Sequence, residues 1–191
     1  MEISLIILIS YLLGSIPFGF LLTKFILKKD IREIGSGNIG ATNVLRTGNK
    51  IIGYSTLVLD ILKAVIPILF IKIQFPEFIF ISSLAVFLGH VFPIWLKFNG
   101  GKGVATYVGI LFCINYILGF FFIATWLVVF FISKYSSLSS LLASLIIPIY
   151  YFFIDTENYY FFIIMFILIF YTHRENIKRL KNNTESKTKI Y

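Results

Sequence analysis

Long apolar runs separated by short polar stretches constrain this sequence more than any other feature. Hydrophobic residues make up 58% of the chain and charged residues only 14%, whereas about a quarter of a soluble domain is charged. About 20 apolar residues in a helix span a bilayer core of roughly 30 Å. The runs therefore predict an all-α, polytopic membrane protein with seven transmembrane helices, some of them short or broken. The predicted segments are Ile3–Phe25, Ile51–Ile73, Phe78–Val91, Val104–Asn115, Ile117–Ile132, Leu138–Ile154 and Tyr159–Tyr171.

One domain is expected to cover residues 1–191, with a flexible, polar tail over about 182–191. Within the first segment, the stretch from Gly14 to Gly19 contains Pro17 and predicts a kink. The backbone groups that such a kink frees must find partners on neighbouring helices, because the bilayer core offers no water.

The basic residues lie almost entirely in the loops after segments one, three and five and in the tail. Of the seventeen Lys and Arg residues, only Lys63 and Lys72 lie elsewhere. Cytoplasmic loops of membrane proteins carry such an excess. The distribution predicts an external N-terminus and a cytoplasmic C-terminus. It also explains the net charge of +8 without a nucleic-acid partner.

The sequence offers little for metal or redox chemistry. Cys113 is the only cysteine, which excludes an internal disulfide. Two histidines, His90 and His173, cannot form a conventional zinc site alone. We therefore expect neither a metal ion nor another cofactor.

A glycine-rich polar stretch, Gly35–Asn43, is followed by Arg46. Glycine lets a backbone adopt positive φ, and successive N–H groups held in that way bind anions. Residues 39–47 are predicted to form a short helix. The spacing matches G-x-G-x-x-G, but the βαβ unit that dinucleotide binding requires is missing. The residues leave two interpretations open, an anion-binding loop and an ordinary turn between helices.

Three further polar clusters are predicted on the same membrane face, at residues 89–106, 134–140 and 173–187. Their N–H groups, hydroxyls, amides and cations are groups that bind phosphate and stabilise oxyanions. The run Gly100–Gly103 resembles half a P-loop, but the full ATPase motif is absent. The cluster at residues 89–106 also fits a flexible turn. The cluster at residues 134–140 also fits a membrane-edge loop with an N-capping serine, and the cluster at residues 173–187 also fits a lipid anchor.

Asp60 and Lys63 lie three residues apart in the second segment and so share one helical face. Each charge costs roughly 2.5–3.5 kcal/mol at the centre of a spanning helix. Two interpretations remain: an ion pair that braces a site, and direct contact with a substrate. His90 likewise fits either a hydrogen-bonding spacer or a site residue.

Together these clusters resemble a known enzyme family. Residues 36–46 look like the first signature of the bacterial acyl-phosphate-dependent glycerol-3-phosphate acyltransferases. Residues 89–106 are similar to the second signature of that family. Its C-terminal signature is similar to residues 173–180 together with Glu185 and Lys187. The chain departs from the family pattern at Trp95, where Phe is usual, at Lys134, where Arg is usual, and at Asn183, where Gly is usual.

The resemblance implies an inner-membrane enzyme that moves a fatty acyl group from acyl-phosphate to glycerol 3-phosphate. The products are 1-acylglycerol 3-phosphate (lysophosphatidate) and phosphate, in the first step of phospholipid synthesis. Its partners are the two substrates, membrane lipid and an enzyme that forms acyl-phosphate.

The resemblance also implies roles for individual residues. The catalytic set is Ser36, Arg46, Lys102, His173 and Asn176. Acyl-phosphate is assigned to Ser36, Gly37, Asn38, Gly100 and Gly101. Glycerol 3-phosphate is assigned to Arg46, Lys102, Ser140, His173, Arg174 and Asn176. The supporting residues are Thr42, Asn43, Asp60, Lys63 and His90.

The general base stays open at this level. An imidazole titrates near neutral pH, which favours His173, but the phosphate of the donor can accept the proton instead. Acyltransferases that use acyl-CoA or carrier protein typically have a His followed five residues later by Asp. Here Trp95 and Lys178 occupy those positions, which favours an activated acyl-phosphate donor. The alternative to an enzyme is a transporter or channel for a phosphate-bearing solute, although we find no internal repeat.

Overall fold

The computed structural model describes residues 2–188, and Met1 and residues 189–191 of the predicted tail lie outside the described residues. No β-strand occurs in the described part of the chain, which is built from α-helices and short 3₁₀ turns. The helices are α1 (Glu2–Gly14), α2 (Phe18–Ile26), α3 (Ala41–Val44), α4 (Lys50–Gln74), α5 (Ile79–Val91), α6 (Val104–Ile114), α7 (Tyr116–Ser133), α8 (Ser136–Phe152), α9 (Tyr159–Thr172) and α10 (Arg174–Lys181).

Each predicted apolar segment coincides with a helix, and the first is divided between α1 and α2 at Pro17. The all-α prediction is therefore confirmed. The predicted short helix over residues 39–47 is also present, as α3 followed by a 3₁₀ turn at Leu45–Thr47.

Three helical stretches are long and apolar enough to cross a membrane: Glu2–Ile26, Pro76–Leu96 and Tyr116–Ser133. The helices α6, α8 and α9 are shorter but also apolar. Large hydrophobic side chains cover the outer surfaces, and Ile132 and Phe153 are each 81% exposed. Such a surface is unfavourable in water and favourable in lipid.

The chain divides into two compact units, Met1–Ile114 and Asn115–Tyr191. Each unit has its own buried apolar residues, for example Ile68 and Phe87 in the first and Phe162 and Met165 in the second.

In the first unit, α1 packs along α5, and α4 packs along α6. Small residues let α1 and α5 approach closely, since a Cβ at Gly14 would overlap the backbone of Val86. A hydrogen bond between the buried hydroxyls of Ser10 and Ser82, at 2.9 Å, joins the same two helices. Both features are typical of helix pairs in membranes, where packing and polar contacts replace the hydrophobic effect.

The break between α1 and α2 is stabilised from outside the segment. Pro17 is the N-cap residue of α2 and cannot donate a backbone hydrogen bond. Lys63 of α4 donates to the Ile16 carbonyl at 2.8 Å. The same carbonyl also accepts from Phe18 N at 3.2 Å. The predicted kink is therefore a true interruption, and a neighbouring helix adds a hydrogen bond to it.

In the second unit, α8 packs against both α7 and α9. The rings of Tyr151 and Phe162 lie 4.4 Å apart between α8 and α9. The turn from α8 to α9 is held by Asp155, whose carboxylate accepts hydrogen bonds from the backbone and side-chain N–H groups of Asn158 at 3.2 and 2.8 Å.

Candidate active site

The loop at residues 35–43 is organised by the side chain of Asn43. Its amide oxygen accepts a hydrogen bond from Ser36 N at 2.9 Å. Its amide nitrogen lies within hydrogen-bond distance of three carbonyl oxygens, those of Ile31 at 3.2 Å and of Ile34 and Asn38 at 2.8 Å. Asn43 is only 3% exposed, so one buried amide sets the path of the whole loop.

Three backbone N–H groups of this loop donate to acceptors within the fold. Ser36 N donates to Asn43, Gly37 N donates to the Ile34 carbonyl at 3.0 Å, and Gly40 N donates to the Asn38 side chain at 2.9 Å. These three N–H groups therefore do not form the anion-binding concavity that the glycine pattern suggested. The positive φ at Gly35 (57°) and Gly37 (70°) closes the turn instead.

Side chains provide the outward-facing chemistry of the loop. Ser36, Thr42 and Arg46 are exposed. A Cβ at Gly35 would lie 2.8 Å from Cδ of Arg46, so Arg46 passes directly beside the loop. The groups available to an anion here are two hydroxyls and a guanidinium.

The second glycine cluster follows the end of α5. Gly100 N donates to the Val91 carbonyl at 3.0 Å, and Gly101 N donates to the His90 carbonyl at 3.1 Å. A Cβ at Gly101 would overlap the His90 imidazole. The two glycines therefore allow close packing against the end of α5, and their N–H groups are used within the loop. Lys102, which follows, is partly buried.

A shared apolar core brings the first two predicted clusters together within the first unit. Ile39 and Val44 of the first loop pack with Leu96 of the second, together with Ile31 and Ile52. Each of these side chains is less than a tenth exposed. The expected proximity of the two signatures is thus observed.

A buried polar group lies beneath the second loop. Lys63 Nζ lies 2.9 Å from Asp60 Oδ1, with both side chains at most 3% exposed. The His90 Nδ1 atom lies 3.7 Å from the same carboxylate oxygen, and the opposite side of the ring faces Gly101. His90 thus fills the space between the ion pair and the glycine loop.

In the second unit, three donors converge on the carboxylate of Glu185. Ser137 Oγ and Asn176 Nδ2 both donate to Oε1, at 2.7 and 2.6 Å. Arg179 Nε donates to Oε2 at 2.6 Å. The residues after α10 are therefore fixed to α8 and α10, and Thr188 N also donates to the Lys134 carbonyl at 2.9 Å.

His173 and Asn176 are buried on one side of the junction between α9 and α10, at 2% and 5% exposure. The Nδ1 atom of His173 lies 2.8 Å from the Ile169 carbonyl. Since a carbonyl only accepts, Nδ1 carries the hydrogen, and Nε2 is the basic nitrogen of the neutral ring. Arg174 is exposed, and its guanidinium stacks on Tyr171 at 4.6 Å. The structure therefore groups His173 with Asn176 but directs Arg174 elsewhere.

The serines of residues 134–140 lie in the first turns of α8 and not in a loop. Ser139 and Ser140 donate to the carbonyls four residues earlier, at 2.8 and 2.9 Å. The N-cap position belongs to Tyr135, whose side chain makes no cap. The prediction of an N-capping serine is therefore wrong, because these hydroxyls bond backward along the helix. Ser140 also accepts a hydrogen bond from Trp126 Nε1 at 3.1 Å.

Comparison with known proteins identifies the family. The family model described as glycerol-3-phosphate acyltransferase matches residues 4–183. The chain belongs to the glycerol-3-phosphate acyltransferase family.

Curated relatives of that name include proteins from Pelagibacter ubique and Bradyrhizobium diazoefficiens. The first is 70% identical over 100% of both chains. The second is 47% identical over 95% of this chain and 92% of its own length.

Two crystal structures of PlsY (YgiH), an integral membrane glycerol 3-phosphate acyltransferase, are similar to this chain. One is the glycerol 3-phosphate form, with a TM-score of 0.89 and 36% identity over 98% of this chain and 96% of that chain. The other is the lysophosphatidic acid form, with a TM-score of 0.87 and 36% identity over 98% and 95%. These matches confirm the predicted family, the multi-pass membrane architecture and the acyltransferase function, and they do not favour the transporter alternative.

The sequence pattern places Glu185 in the C-terminal signature of this acyltransferase but does not indicate its function. Burial acts to raise the pKa of Glu185, but hydrogen bonds from Asn176, Arg179 and Ser137 outweigh it, so the pKa is lowered from its usual value of 4.5. An acidic residue between the basic residues that follow α10 is the signal that could have indicated such a partner role.

We expect Asn43→Asp to loosen the first loop. The aspartate keeps the acceptor for Ser36 N but loses the donors to three carbonyls, and each lost partner of a buried group costs about 1–3 kcal/mol. Hydrogen exchange of residues 31–43 should accelerate at least tenfold. Asn49→Asp is the matched control, because Asn49 uses only its oxygen, which accepts from Ile52 N at 3.0 Å. Equal exchange in the two variants would contradict this account.

We expect Lys63→Met to lower the free energy of unfolding by about 3–5 kcal/mol, because it leaves the Asp60 carboxylate buried without its cation. The double variant Asp60→Leu/Lys63→Met should recover much of that loss, since no lone charge remains. Thermal unfolding in detergent measures both. A double variant as unstable as Lys63→Met would rule out the ion pair as the source of the loss.

The pH dependence of stability should report on Glu185. Its folded pKa is lowered, so its contribution to stability is fully present above about pH 4.5 and disappears as the pH falls through the folded value. The difference in melting temperature between wild type and Glu185→Gln should be constant from pH 8 to 5 and should shrink below about 4.5. A difference that persists unchanged to pH 3 would refute this assignment.

Proposed function

We propose that the chain transfers a fatty acyl group from acyl-phosphate to the 1-hydroxyl of glycerol 3-phosphate. The observation that carries this proposal is the family match over residues 4–183, combined with cationic and hydroxyl side chains in each matched signature. The relatives' name supplies the acceptor, and the solved forms with glycerol 3-phosphate and lysophosphatidic acid support the acceptor and the product.

The proposed reaction is a direct acyl transfer. The 1-hydroxyl oxygen of glycerol 3-phosphate attacks the acyl carbonyl carbon and forms the ester bond. The bond between that carbon and the phosphate oxygen breaks, and phosphate leaves with the electron pair. The hydroxyl proton passes to His173 or to the departing phosphate. Because the donor is already activated, positioning and charge stabilisation supply most of the acceleration.

The first unit supplies two of the proposed cations, Arg46 and Lys102, which we assign to glycerol 3-phosphate. On the acyl-phosphate side, the exposed Ser36 hydroxyl is the proposed direct contact. Gly37, Asn38, Gly100 and Gly101 act through the shape of their loops, since the N–H groups of the three glycines are used internally. Thr42, Asn43, Asp60, Lys63 and His90 keep their supporting role.

The second unit supplies polar groups for the acceptor. We assign His173, Asn176 and Ser140 to glycerol 3-phosphate. Nε2 is the ring nitrogen of His173 that accepts the proton in this proposal, because Nδ1 donates its hydrogen to the Ile169 carbonyl. Arg174 is retained as an acceptor ligand only through its place in the signature. The kcat of the His173→Gln variant distinguishes the two candidate bases. A strong loss of kcat indicates that His173 accepts the proton, and an unchanged kcat indicates that the donor phosphate does.

The proposal also sets the location of the reaction. The charge distribution supports an N-terminus outside and a C-terminus in the cytoplasm of a bacterial inner membrane, with the polar clusters on the cytoplasmic side. A functional link with an enzyme that forms acyl-phosphate follows from the donor's chemistry, since a mixed anhydride must be made by a prior phosphorylation or transfer step.

The assay is a direct one. Purified protein in detergent, given acyl-phosphate and labelled glycerol 3-phosphate without CoA or carrier protein, should form lysophosphatidate. Arg46→Ala and Lys102→Ala should each lower kcat/KM by about 100-fold or more, because they remove charge-assisted contacts to phosphate. Lys50→Ala, an exposed cation at the start of α4, is the matched control and should stay active. Absence of product, or full activity in both variants, would overturn the proposal.

A further inference from the structure

The turn at residues 94–98 holds two adjacent side chains on a backbone conformation that glycine normally occupies. Lys97 and Phe98 both have positive φ, at 52° and 62°. This left-handed region disfavours residues that carry a Cβ. Phe98 N donates to the Pro93 carbonyl at 3.0 Å and closes the turn. Strained backbone that the surrounding structure holds in place is concentrated at functional sites.

One residue of this turn faces the protein interior and its neighbours face outward. Leu96 is 8% exposed and belongs to the apolar core that joins the two loops of the first unit. Trp95 and Phe98 are 61% and 58% exposed, and Lys97 is exposed as well. The contact of Leu96 with the core explains how the turn is fixed. It does not explain the two exposed rings or the lysine between them.

The turn ends a helical stretch, Pro76–Leu96, that is long and apolar enough to cross a membrane. Tryptophan is enriched where such stretches leave the lipid, because its ring is apolar and its N–H group is polar. A lysine at the same level lays its apolar stem along the lipid and reaches the headgroups with its ammonium. No carboxylate of residues 2–188 lies at ion-pair distance from Lys97. Its ammonium is therefore available to an anion outside the chain.

The end of α2, in the same unit, repeats this arrangement. Lys28 has a φ of 56° and is exposed, and Phe25, three residues earlier, is 67% exposed. Within the described part of the chain, Lys28 also has no carboxylate at ion-pair distance. Lys134 has positive φ too, but it is half-buried and its ammonium lies over the Phe131 ring at 5.4 Å. The combination of an exposed aromatic ring and an exposed left-handed lysine thus occurs twice in the first unit.

We propose that the turn formed by Trp95, Lys97 and Phe98 binds the headgroup of an anionic phospholipid. The Lys97 ammonium pairs with the lipid phosphate, and the two rings lie between the headgroups and the acyl chains. A zwitterionic headgroup carries its own cation, which competes with the lysine, so the anionic lipid binds better. In the orientation proposed above, the turn meets the cytoplasmic leaflet, whose surface potential is negative. Phe25 and Lys28 form a second contact of the same kind.

Tryptophan fluorescence tests the depth of the turn, because the chain contains only two tryptophans. The Trp126→Phe variant leaves Trp95 as the only one. In vesicles, phospholipids brominated beside the headgroup should quench Trp95 more strongly than phospholipids brominated at the chain ends. Stronger quenching from the chain ends, or no quenching from either lipid, would overturn the proposal. If Trp126→Phe does not fold, the signal lost in Trp95→Phe gives the same information.

Thermal unfolding in lipid nanodiscs tests the role of the cation. Lys97→Gly removes the backbone strain and the ammonium together. In phosphatidylcholine it should melt about 2–4 °C above wild type, because the strain is gone. In phosphatidylglycerol the wild type should gain more stability than the variant, so that this difference shrinks or changes sign. Inorganic phosphate added to the phosphatidylcholine nanodiscs should not reproduce the gain, and an equal gain would contradict a lipid site.

Lys178→Gln is the matched control for the loss of one positive charge. Lys178 is an exposed lysine of α10 whose ammonium lies 3.1 Å from Glu175, so a carboxylate of the chain already compensates it. Its melting temperature relative to wild type should be the same in both lipids. The proposal is overturned if Lys97→Gly and Lys178→Gln respond equally to the change of lipid.

Discussion

The buried contact between Lys63 and Asp60 is the interaction on which the first unit depends. The Lys63 ammonium lies 2.9 Å from the Asp60 carboxylate and 2.8 Å from the Ile16 carbonyl. It thus neutralises one buried charge and donates a second hydrogen bond to a carbonyl oxygen at the break before α2, which also accepts from Phe18 N at 3.2 Å. His90 then extends this polar group to the glycine loop at Gly101. A broken helix, an ion pair and a loop are stabilised by the same few atoms.

Two segments that carry residues of the proposed site are likewise each held in place by a single side chain. Asn43 directs the first loop and Glu185 directs the segment after α10, each through three or more hydrogen bonds. Because backbone and amide groups are used to hold these segments in place, the outward chemistry is left to side chains such as Ser36 and Arg46. The arrangement favours binding by charge and hydroxyl groups over binding by a backbone N–H concavity.

Much of the fold could be predicted from sequence because its signals are local. The apolar runs predicted the helices, and Pro17 predicted the interruption in the first segment. Three motifs indicated the family. The directions of the N–H groups at Ser36 and Gly101 could not be predicted, since their partners are a side chain and a carbonyl that only the folded chain brings near. Local propensity also misassigned the serines of α8, because a serine near a helix start can bond backward instead of capping. The function of Glu185 depends on partners in α8 and α10, and no spacing rule connects it to Ser137.

The contact between Ser137 and Glu185 has a consequence for biosynthesis. The two residues are 48 positions apart in the chain, and α9 and α10 are made between them. While α8 enters the membrane, the Ser137 hydroxyl and later the Asn176 amide have no carboxylate to bind. The second unit therefore reaches its final internal order only after residue 185 has left the ribosome, and not while α8 is being inserted.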